Sequence, residues 1–137
     1  MTGATLLSQV LDATDRNDRL SGDDLRIAAL SVASAAVADD LAVFAVDAAG
    51  GRVIGAALYE HSLRLVNTSK SIAGERVLLV AGYVVGTSEI AATARLLRLR
   101  GASRVDVALL TRLGGPIPGC DQVVVMQRSA DYLHAVS

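Results

Sequence analysis

The sequence predicts a three-layer α/β domain around a mainly parallel sheet, and three observations carry that expectation. Arg76–Ala81 (RVLLVA) is a short apolar run with almost no polar alternation, as suits a strand buried on both faces. From Ser88 the period turns helical, with Ile90, Ala94, Leu97 and Gly101 sharing one face. Val105, Val107, Leu109 and Leu110 then form a second buried run. Strand, crossover helix and strand make a right-handed βαβ unit.

Before that unit, residues 5–13 read as a short helix carrying Leu6, Leu7, Val10 and Leu11 on one side, and residues 15–19 as a polar connection. Ser21-Gly22-Asp23-Asp24 starts a second helix, with hydroxyl and acidic groups where backbone N–H groups are free. Its buried stripe is Leu25, Ala28, Ala29, Val32, Ala35 and Ala36. Residues 41–46 form the first core strand, residues 47–52 a Gly-Gly turn, and residues 53–59 a third helix. Residues 62–68 suit a strand, and residues 69–74 connect it to Arg76. Gly101 is placed to cap the helix that follows the central strand. Residues 113–119 are a Gly/Pro loop, residues 122–126 a last strand, and residues 129–133 the start of a terminal helical turn.

At 137 residues the chain is expected to be one domain, residues 1–137, with one core. Apolar residues make up 52% and aromatics 3%, so the core is aliphatic and Ala-rich, with apolar surface left over for an oligomer interface. Thirteen basic against fourteen acidic side chains leave no electrostatic footprint for nucleic acid. Arg95, Arg98, Arg100 and Arg104 read as a solvated face with Asp106 nearby. The single Cys120 excludes an internal disulfide and, with no His near it, reads as a spectator. His61 and His134 lack metal-ligand spacing, so no metal is expected. Asp39-Asp40 divides the apolar stretch 27–46, which is not a membrane span, and no signal peptide is evident, so the expected location is cytoplasmic.

Ligands of such units bind at the carboxyl ends of the strands, which puts the candidate site at residues 82–89. There Val77-Leu78-Leu79-Val80, the helix ending Arg95-Leu96-Leu97-Arg98, and Gly101-Ala102-Ser103-Arg104-Val105-Asp106-Val107-Ala108 follow in order. With Val43-Phe44-Ala45-Val46-Asp47-Ala48-Ala49-Gly50-Gly51 upstream, the chain resembles the type I phosphoribosyltransferase fold and the related phosphoribosyl-pyrophosphate synthetases over about residues 24–111. The resemblance implies a pyrophosphate cradle at Gly50, Gly51 and Arg52, and a phosphate loop at Gly86, Thr87 and Ser88. It also implies a pair of carboxylates for the ribose hydroxyls.

The functional residues depart from that pattern. Ala81 and Gly82 stand where the resemblance expects the two acids. A hydrogen bond to a charged group contributes about 1.5–3 kcal/mol, so losing two removes roughly 3–6 kcal/mol, or about 10²–10⁴ in affinity. Glu89 stands about where a phosphate-facing Thr is expected. A carboxylate ~5 Å from a phosphate charge repels it by about 3 kcal/mol at an effective dielectric near 20. Residues 69–74 also leave little chain for the flexible lid of the family.

The leading expectation is therefore a degenerate member with no catalytic residues and no cofactor. It would be a regulatory or structural subunit, self-associating or paired with a related enzyme, with at most a weakly held phosphate or nucleotide. The alternatives are an active, Mg²⁺-dependent transferase moving a phosphoribosyl group to a nucleobase or amine, and a partner-binding module without a small ligand.

Overall fold

The computed structural model describes residues 22–82, 88–110 and 117–126. The helix expected at 5–13, the terminal turn at 129–133 and His134 lie outside these. The described elements are α1 (Gly22–Asp39), β1 (Ala42–Ala45), α2 (Ala48–Glu60), β2 (Arg76–Ala81), α3 (Ser88–Leu99), β3 (Arg104–Leu109) and β4 (Gln122–Val125). All four strands are parallel, in the order β1-β2-β3-β4. Each central strand is buried from its second residue onward, β2 as an unalternated apolar run and β3 with Asp106 buried among its apolar residues.

Alternate residues of β2 and β3 face opposite helical layers. Leu78, Val80 and Ala108 pack with Ala28, Val32 and Ala36 of α1 and Ala49, Val53 and Ile54 of α2. On the other face, Val77, Leu79, Val105 and Val107 pack with Ile90, Ala94 and Leu97 of α3. Four of the five buried residues of α1 are alanines, which lets it lie close against α2.

Helix ends follow local chemistry. Gly101 takes φ +104 after α3, and the Ala102 N–H donates to the Leu97 carbonyl at 3.0 Å, the bonding of a Schellman cap. Asp40 plays the same part after α1 at φ 53, with Leu41 N–H donating to the Ala36 carbonyl at 2.8 Å.

Two expectations need correction. The third helix begins at Ala48 and not at 53, so Gly50, Gly51 and Arg52 belong to its first turn. A Gly-Gly pair has turn propensity, but here the Asp47 cap and close packing on β2 override it. The strand expected at 62–68 reduces to one bridge, Val43 with Leu65, because the surrounding residues are mostly exposed and offer no apolar face.

That bridge fixes the topology of the site. Val43 N–H donates to the Arg64 carbonyl, and Val66 N–H donates to the Val43 carbonyl, both on the edge of β1 away from β2. The chain thus steps outward from β1 through α2, then returns to β2 and steps the other way through α3. Crossovers of one hand stepping in opposite directions lie on opposite faces, as α2 and α3 do. The reversal between β1 and β2 is a topological switch point, where open α/β sheets hold their ligands at the carboxyl ends of the strands.

At the opposite end of the sheet Arg104 ties three elements. Its guanidinium reaches Asp106 at 2.8 Å and 3.1 Å, Asp39 of α1 at 3.0 Å and Gln122 of β4 at 3.3 Å. Asp106 is only 2% exposed, so its carboxylate depends on that partner. The hydrogen bond from Arg104 to Asp106 in turn raises the arginine's pKa above its usual value.

Candidate functional site

The candidate site is built on Asp47, the first residue after β1 to carry a carboxylate. Its backbone is extended, at φ −138 and ψ 179, and it caps α2. Oδ1 accepts the Gly50 N–H at 2.7 Å. The same carboxylate reaches across 35 positions of sequence to the end of β2, where Gly82 N–H donates to Oδ1 at 3.1 Å and Oδ2 at 3.0 Å. Gly51 N–H is taken by the Asp47 carbonyl at 3.0 Å. One side chain thus ties both strand tips at the switch point and accepts from the amides that face it.

The two glycines beside Asp47 are required by space. A Cβ on Gly50 would lie 2.0 Å from the Val80 carbonyl oxygen, so glycine lets the first turn of α2 press onto β2. A Cβ on Gly82 would lie 2.3 Å from the Cβ of Ala49. An acidic side chain therefore does not fit at 82 as the backbone stands. Ala81 is fully buried on the α3 side of the sheet.

The residues singled out in the sequence fall in three places. Gly50 and Gly51 lie beside Asp47 with their N–H groups already donated, and Arg52 is exposed close by in α2. Ala81 and Gly82 end β2. Ser88 and Glu89 are exposed in the first turn of α3, where Glu89 complements the helix dipole. Gly86 and Thr87 lie outside the described residues. Asp47 was the residue sequence reasoning passed over as part of a turn. Its signal was an Asp three residues before Gly50 and directly before a helical period, the pattern of an N-cap.

Among the described residues no group of three or more His, Cys, Asp or Glu is placed to hold a metal ion. None of the described helices is long and apolar enough to cross a membrane. Cys120 is half-buried, and that burial pushes its thiol up to about 11, so it is protonated near neutrality. The arginines expected as a solvated face divide: Arg98 pairs with Asp121 at 2.6 Å and Arg100 donates to the Thr68 carbonyl, while Arg95 is exposed. Comparison with protein-family models, with curated proteins and with solved structures found no match.

Proposed function

We propose that this chain is a phosphoribosyltransferase-like protein whose ribose-phosphate site is degenerate. It acts as a non-catalytic regulatory or structural subunit, self-associating or paired with a related enzyme, in the cytoplasm. The observation that carries this reading is the Asp47 carboxylate at the switch point, bonded to Gly50 N–H and Gly82 N–H. Backbone amides at the head of a helix are what an incoming phosphate would need, and here an internal anion has them. The steric exclusion of a side chain at Gly82 supports the same reading, since no acid fits there to take a ribose hydroxyl. Glu89 adds negative charge in the first turn of α3, where a phosphate would be repelled.

The deciding experiment is titration calorimetry of the full chain with phosphoribosyl pyrophosphate and Mg²⁺. No tight binding is expected. Tight, Mg²⁺-dependent heat, or turnover with a panel of nucleobases, would overturn the reading in favour of an active transferase.

A further inference from the structure

We draw no further inference here: the strongest candidate, the apolar groove along α3 lined by Ala91, Ala92, Leu99 and Pro118, carries nothing because Arg98 at its edge is already paired with Asp121 and nothing in the structure shows what covers it.

Discussion

Asp47 shows how much one side chain can decide. Replacing it with Ala removes the cap of α2, a loss of about 0.5–2 kcal/mol. It also strands the Gly82 N–H in a buried position, at about 1–3 kcal/mol. Asp47→Ala is therefore expected to lower the unfolding free energy by about 1.5–5 kcal/mol in a urea titration, and Asp47→Asn by less, because its amide oxygen still accepts. Asp121 answers to pH. Its carboxylate accepts the Val105 N–H at 2.9 Å, and that bond, more than the Arg98 pair, holds its pKa below the ordinary 3.8. A depressed carboxylate stabilises the fold above its unfolded pKa and loses that contribution as pH falls through the folded value. The stability gap between the native chain and Asp121→Asn should be open at neutral pH and close as pH drops below about 4. Chemical denaturation at several pH values checks it.

At the scale of elements, patterns carried by neighbours in sequence were legible. The bounds of β2, the start of α3 at Ser88, its buried face and the Gly101 cap all follow from apolar runs, helical spacing and one glycine. The start of α2 was not legible, because Gly50 and Gly51 look like a turn until β2 is placed against them. Gly50 is there for the contact with Val80, which is distant in sequence. Gly50→Ala would favour the helix by propensity, yet the added methyl would collide with backbone that cannot swing aside. A net loss of about 3 kcal/mol, at the upper end of overpacking costs, is expected. It should appear as a melting temperature roughly 10 °C lower by calorimetry.

For the molecule as a whole, the parallel α/β architecture was readable, since β2 lacks polar alternation, β3 is mainly apolar and a helix separates them. The direction of the first crossover was not. It depends on the single Val43–Leu65 bridge, between segments distant in sequence, and that bridge makes β1 and β2 the reversal point. The candidate site suffered likewise, because Asp47 and Gly82 meet only after the sheet has assembled. The phosphoribosyltransferase likeness named Gly50 and Gly51, whose N–H groups are already donated to Asp47.

The carboxylate that ties the two strand tips is a tethered competitor. An outside anion must displace a group that never diffuses away, whose effective concentration is on the order of millimolar or above. Dilute free phosphate therefore loses that contest, and only a molecule with many additional contacts could evict its built-in rival.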